Sequence, residues 1–134
     1  MVMDELRYLL DTCTLVDIFR GKDDTQRRFH ELGVKQCCTT TVCLCELYAG
    51  AFKHERESEF KAIDWLKDKI PVIPFDNSFL TYGRIRADLE KQGRRLDDMD
   101  LLIASIALDN NLTLVTGNRR HFDRIPDLKL EIWD

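Results

Sequence analysis

Three acids, Asp11, Glu46 and Asp100, stand where an α/β chain commonly sets its working residues. Asp11 closes the strand-like run YLLD, and Glu46 lies in the helical TVCLCELYAGAF that follows the β-prone CCTTT. Asp100 opens the apolar helix pattern DLLIASIAL, and the strand-like TLVT comes next, ending in Gly117 and Asn118. Acids repeated near the carboxyl ends of strands or the starts of helices are what a metal-binding crevice in a parallel sheet requires. Crowded carboxylates repel one another, and some of their pKa values rise, unless a divalent cation neutralises them. Magnesium, with manganese as a substitute, fits such a set, because these hard ions prefer oxygen ligands and keep waters. The chemistry implied is hydrolysis of a phosphodiester. The metal polarises a phosphate oxygen and lowers the pKa of its water, while a further carboxylate orients or deprotonates the nucleophile.

Each acid also has a structural use. Asp11 can cap a helix beginning near Thr14, and Glu46 can face outward on an amphipathic helix. Asp100 suits the first turn of a helix, where the dipole favours a negative charge by about 0.3–1 kcal/mol. Asp97 and Asp98 compete for that same start, however, so the acids crowded there exceed what one helix needs. No competing chemistry is written elsewhere: GxSxG, a P-loop, HExxH and GxGxxG are all absent.

The elements that must position these residues read as a mostly parallel sheet covered by helices, an α/β sandwich. Strands are expected at Tyr8 to Asp11, Gln36 to Thr40, Val72 to Pro74, Thr113 to Thr116 and Leu130 to Ile132. Helices are expected at Thr14 to Phe19, at Asp24 to Leu32 with Gly33 as its stop, at Thr41 to Phe52, and at Glu57 to Lys69 before Pro71. Asp76 or Asn77 should cap a further helix with Leu80, Ile85 and Leu89 on its apolar stripe and Gly93 at its end. GNRRHFDRIPD reads as an irregular loop.

At 134 residues and 15.7 kDa the chain suits one domain, residues 1–134, with an ordinary core. No apolar run approaches the roughly 18 residues of a membrane span, and acids stand in MVMDELRYLL where a leader would carry bases, so the cytoplasm is the expected compartment. Five cysteines, Cys13, Cys37, Cys38, Cys43 and Cys45, form no CxxC pair, and His30, His54 and His121 sit at no ligand spacing. They read as reduced, buried thiols. The net charge of −4 argues against a protein that wraps nucleic acid by bulk attraction, but not against an enzyme holding a few phosphates.

Taken together, YLLDTCTLVD, CELYAG, DMDLLIASIAL, LTLVTGNRRHFDRI and LKLEIW resemble the PIN-domain ribonucleases, specifically the VapC toxins of type II toxin–antitoxin pairs, over nearly the whole chain. The resemblance implies a PIN-like α/β/α sandwich and a magnesium-dependent endoribonuclease. It implies Asp11 and Asp100 as direct metal ligands, with Glu46 acting beside them or through water. The family often sets a fourth acid or polar group just after the late strand; here that position is Asn118, which carries no charge and leaves a second metal position open. Cys13 and Cys43 stand where relatives often have Asn, Ser or Thr. The resemblance further implies a homodimer, a VapB-like antitoxin that blocks the acidic pocket, and structured RNA, with transfer RNA the candidate substrate.

The sequence adds Arg119, Arg120 and Arg124 near the expected pocket, where they can grip RNA phosphates or simply be solvated loop charges. Arg84, Arg86, Lys91, Arg94 and Arg95 form a second basic stretch, interrupted by Asp88 and Glu90. The rival reading is a degenerate PIN domain that binds RNA or protein without cutting, as Asn118 allows. A phosphoacceptor domain or an aspartyl phosphatase fits poorly, because Asp11 is followed by Thr12, Cys13 and Thr14 rather than by a second acid.

Overall fold

The computed structural model describes residues 5–133. Residues 1–4, part of the amino-terminal stretch read against a leader, and Asp134 lie outside the described residues.

Short apolar runs form the sheet. Its strands are β1 (Tyr8–Leu10), β2 (Cys37–Thr40), β3 (Val72–Ile73), β4 (Thr113–Val115) and β5 (Leu130–Glu131), each paired in parallel in the order β3-β2-β1-β4-β5. The expected strands are therefore present, slightly shorter than the sequence suggests, and the sheet is wholly parallel. Consecutive buried residues such as Leu9 and Leu10, or Leu114 and Val115, mark strands covered on both faces.

Between the strands run α1 (Thr12–Phe19), α2 (Asp23–Leu32), α3 (Thr41–His54), α4 (Glu57–Lys69), α5 (Phe79–Lys91), α6 (Asp98–Asp109) and α7 (Arg119–Phe122). The chain steps one way from β1 to β3 and the other way through β4 to β5, and because crossovers between parallel strands are right-handed, this order puts the two helix groups on opposite faces. This is the expected α/β/α sandwich. Gly33 at φ 74° ends α2, and Gly93 at φ 69° follows α5, both in the left-handed region that favours glycine.

The chain end is tied down from α2. Thr25 Oγ1 donates to the carbonyl of Trp133 at 2.8 Å, and Arg28 reaches Glu131 at 2.7 Å.

Four details differ from the sequence reading. Ser78, not Asp76 or Asn77, precedes α5, and it makes no side-chain cap bond. The buried stripe of α5 is Thr81, Ile85 and Leu89, whereas Leu80 is 88% exposed, because helical spacing turns residue 80 away from the face that 81, 85 and 89 share. One turn of helix, α7, interrupts the stretch read as loop. Finally, Cys37, Cys38 and Cys43 are buried but Cys13 is half-buried and Cys45 exposed, since α3 turns Cys43, Leu47 and Ala51 inward and residue 45 outward. Burial pushes the Cys37 and Cys38 thiols up to about 12 and Cys43 up to about 11, so these three stay protonated.

Candidate metal centre

The chain leaves β1 at the centre of the sheet, where the strand sequence runs outward in both directions. β1 pairs with β2 on one side and β4 on the other, so the crevice at the carboxyl ends of β1 and β4 is the topological switch point, the usual place for a ligand in an open parallel sheet. Asp11 follows β1 directly and Thr116 follows β4. Thr116 Oγ1 donates to Asp11 Oδ2 at 2.7 Å, joining the two strand ends side chain to side chain.

Asp11 is 4% exposed and also caps α1, its Oδ1 accepting from the backbone N–H of Thr12 at 2.8 Å. The capping reading and the site reading of Asp11 are thus compatible, because one carboxylate offers about four lone-pair positions. Cys13, two residues beyond Asp11, has its Sγ 3.7 Å from Asp11 Oδ2 and accepts from Gly117 N–H at 3.2 Å. Burial first, and then the charge of Asp11, raise the Cys13 thiol pKa.

Glu46 reaches this crevice from α3, which starts immediately after β2 at the same edge of the sheet. Thr12 Oγ1 donates to Glu46 Oε1 at 2.7 Å, so a single residue, Thr12, bonds Asp11 through its backbone and Glu46 through its side chain. Burial raises the Glu46 pKa, the Thr12 hydrogen bond opposes that, and the charges of Asp11 and Asp97 add to the rise.

Asp100 arrives from the first turn of α6, whose crowded acids divide their work. Asp97 caps the helix through Met99 N–H at 3.2 Å, and Asp98 pairs with Arg86 at 3.3 Å and accepts from Tyr82. Asp100 is left over from both tasks. Its pKa is pushed up to about 6, chiefly by burial and next by the charge of Asp11, while His121 opposes the rise. His121 Nδ1 lies 3.2 Å from Asp100 Oδ2, a contact supplied by α7.

Asp11 therefore acts electrostatically on both Glu46 and Asp100. Glu46 Oε2 and Asp100 Oδ1 have no hydrogen-bond partner among the described residues, and no buried side-chain oxygen or nitrogen there lacks one, so these two oxygens face open space. Among the described residues no three acids, histidines or cysteines stand together closely enough to hold a metal ion. Each acid is instead held by its own local partner, Thr116 and Thr12 for Asp11, Thr12 for Glu46 and His121 for Asp100. The groups offered to a metal are nonetheless all carboxylates whose charges disfavour one another, and a hard divalent cation relieves that conflict.

Asn118 stands at the mouth of the crevice as the residue before α7, its backbone N–H donating to Thr116 Oγ1 at 3.0 Å, while its side chain makes no cap bond. Arg119 and Arg120 follow it, both exposed, and Arg124 donates to the Arg95 carbonyl at 3.4 Å. In the second basic stretch, Arg86 is occupied by Glu90, Asp98 and Tyr82 and is structural. Sequence reasoning missed Thr12, Thr116 and His121. The threonines directly follow an acid or a strand and carry a signal in that position; His121 carries none, because nothing in GNRRHFDRIPD marks a helix.

The fold thus defines a doubly wound, wholly parallel α/β protein with an acidic crevice at its switch point. The PIN domain family model matches residues 8–128. The chain is 33% identical over 130 residues to a tRNA(fMet)-specific endonuclease VapC from Shigella flexneri, covering 96% of this chain and 98% of that protein. It is 34% identical over 131 residues to ribonuclease VapC2 from Rickettsia felis, covering 95% and 98%. Among solved structures, VapBC2 from Rickettsia felis bound to a DNA fragment from its promoter superposes with a TM-score of 0.88 at 32% identity, covering 96% of this chain and 100% of that one. VapBC from Salmonella typhimurium bound to DNA gives a TM-score of 0.83 at 28% identity over 96% and 99%. The chain belongs to the PIN-domain family, in its VapC ribonuclease branch, and is a nuclease.

Proposed function

We propose that this protein is a magnesium-dependent endoribonuclease, the toxin of a VapBC-type toxin–antitoxin pair, working in the cytoplasm as one PIN domain of residues 1–134. The observation that carries the reading is the placement of Asp11 at the switch point, bonded to Thr116 across the strand ends and sharing Thr12 with Glu46, while Asp100 faces the same crevice with its pKa raised first by burial and then by the charge of Asp11. A site with a surplus of mutually repelling carboxylates at a switch point is built for a counter-charge.

In this reading Asp11 and Asp100 hold the ion directly and Glu46 acts beside them. Bound there, Mg²⁺ supplies Lewis-acid polarisation of a phosphate oxygen and an acidified water, and Mn²⁺ can substitute. The protein's own part is positional. Thr116 and the Thr12 N–H fix Asp11, Thr12 fixes Glu46 to act as base or water-orienting group, and His121 steers Asp100. Arg119, Arg120 and Arg124 lie beyond Asn118 and suit the phosphates of RNA. The relatives' names support transfer RNA as the substrate class and a VapB-like antitoxin as the partner. No helix among the described residues is long and apolar enough to cross a membrane.

The test is cleavage of purified transfer RNA and total RNA with Mg²⁺, with EDTA, and by Asp11→Ala and Asp100→Asn proteins, with the new ends sequenced. Metal-dependent cuts lost in both variants support the reading. Wild-type protein that binds RNA but never cuts it would establish the non-cleaving alternative instead.

A further inference from the structure

A cavity of about 320 Å³ opens beside the acidic crevice, between α1, α3 and α4. Thr12 and Glu46, the pair joined by the 2.7 Å hydrogen bond, stand in its wall. Val16 and Phe19 line it from α1 at helical spacing from Thr12, and Ala62 and Ile63 face them from α4. Arg20, just past α1, and Arg56, just before α4, bring cations to the rim. Neither guanidinium has an ion-pair partner among the described residues, and of the two acids that line the cavity Glu46 is engaged by Thr12 at 2.7 Å and Glu59 by His54 at 3.0 Å.

Gly50 is the second observation. It lines the cavity from the middle of α3, where glycine is less favourable than alanine. A Cβ at Gly50 would meet nothing within 4 Å, and its φ is not in the left-handed region. Neither packing nor backbone conformation requires a glycine there, so what its bare Cα leaves is room in the cavity.

We propose that this cavity is a nucleotide subsite that receives one nucleoside of the RNA strand adjoining the phosphate to be cut. The base lies against Phe19 and the aliphatic walls, and the flanking phosphates meet Arg20 and Arg56. The inference rests on the ribonuclease reading above and names residues that reading does not use. The chemistry favours this occupant. The volume is within the range of small-ligand sites, about 300–1,000 Å³, and an aromatic wall beside free guanidinium groups is how single strands are held without sequence readout. In a chain of net charge −4, two unpaired arginines at the edge of an acidic crevice provide the local attraction that a polyanion needs.

The experiment uses Gly50→Leu, which fills the cavity, and the double variant Arg20→Ala/Arg56→Ala, whose positions are exposed and leave the core untouched. Affinity for a labelled single-stranded RNA is measured by fluorescence anisotropy, with Asp100→Asn added in every protein to stop turnover. Cleavage kinetics are measured without that addition, and melting curves check folding. Both variants should bind RNA about tenfold more weakly and raise KM with kcat and the Mg²⁺ requirement unchanged, the mark of lost uniform binding. RNA affinity within about twofold of the parent in the correctly folded double variant overturns the proposal. Retained RNA affinity with lost co-purification of the antitoxin also overturns it and assigns the cavity to a protein segment. If the parent cuts no RNA yet the variants still lose affinity, the nuclease reading fails while the subsite stands.

Discussion

The Thr116 hydroxyl donates to Asp11 Oδ2 at 2.7 Å across the two strand ends where the sheet reverses its direction of growth. The same oxygen of Thr116 accepts the Asn118 N–H at 3.0 Å, so one hydroxyl sets both the first acid and the entry to α7. Thr116→Val keeps the shape and removes the donor. A hydrogen bond to a charged group contributes about 1.5–3 kcal/mol, so kcat for RNA cleavage should fall at least about tenfold. Thr116→Ser, which keeps the hydroxyl, should restore most of that loss. Equal activity in the valine and serine variants would mean that Asp11 needs no such restraint.

The strand ends were legible because the relevant signals are local: YLLD, CCTTT and TLVT combine β-prone residues with a following polar stop, and each became a strand. Asp100 was legible for a similar reason, an excess of acids over what a helix start uses, and the structure accounts for the excess by giving Asp97 to the cap and Asp98 to Arg86. What links the sites was not legible. The bonds Thr12 to Glu46, Thr116 to Asp11 and His121 to Asp100 span 34, 105 and 21 residues, and nothing in a periodic pattern encodes a pairing at that separation. The exposure of Leu80 was misread because an apolar residue near a helix start matched the stripe in type but not in angle.

Asp100 makes the metal-free protein sensitive to pH. Its pKa, raised by burial and by Asp11 from 3.8 to about 6, means that the folded chain holds the proton more tightly than the unfolded one. The charged form therefore costs stability; that cost is complete above about pH 6 and fades as pH falls toward the unfolded value. Asp100→Asn should melt roughly 2–4 °C higher than wild type without metal at about pH 7.5, and the difference should shrink to about half near pH 5 and close below about pH 4. Mg²⁺ should raise the melting temperature of wild type and not that of the variant. Protons and metal compete for the same oxygens, so Mg²⁺ affinity should weaken as pH drops through about 6. A melting difference that does not change with pH would show that Asp100 is not the strained acid.

Asn118 tests whether a fourth acid matters here. Its side chain makes no cap bond, and its link to the crevice is through the backbone N–H, which a substitution keeps. Asn118→Ala should therefore leave kcat within about threefold of wild type. Asn118→Asp places a fourth carboxylate beside the crevice and should tighten Mn²⁺ and Mg²⁺ binding, read by calorimetry, while lowering the melting temperature of the metal-free protein through added repulsion. A loss of activity in Asn118→Ala comparable to that of Asp100→Asn would instead make the amide itself a working group.

The start of α5 carries an exposed apolar surface. Phe79 is 63% and Leu80 88% exposed, and Phe75 packs edge-on against Phe79 with ring centres 5.6 Å apart. Large apolar side chains clustered at one helix start lose free energy to water unless a partner removes them from it, by about 25 cal/mol for each Å² left uncovered. If a homodimer forms through this face, wild type should sediment as a dimer and Leu80→Glu as a monomer in sedimentation velocity, with RNA cleavage per site retained. The melting curve measured at low protein concentration should stay unchanged, because residue 80 contributes nothing to the core. A dimer that survives Leu80→Glu and Phe79→Glu together would place the interface elsewhere, since two buried carboxylates without partners could not remain inside a contact of this size.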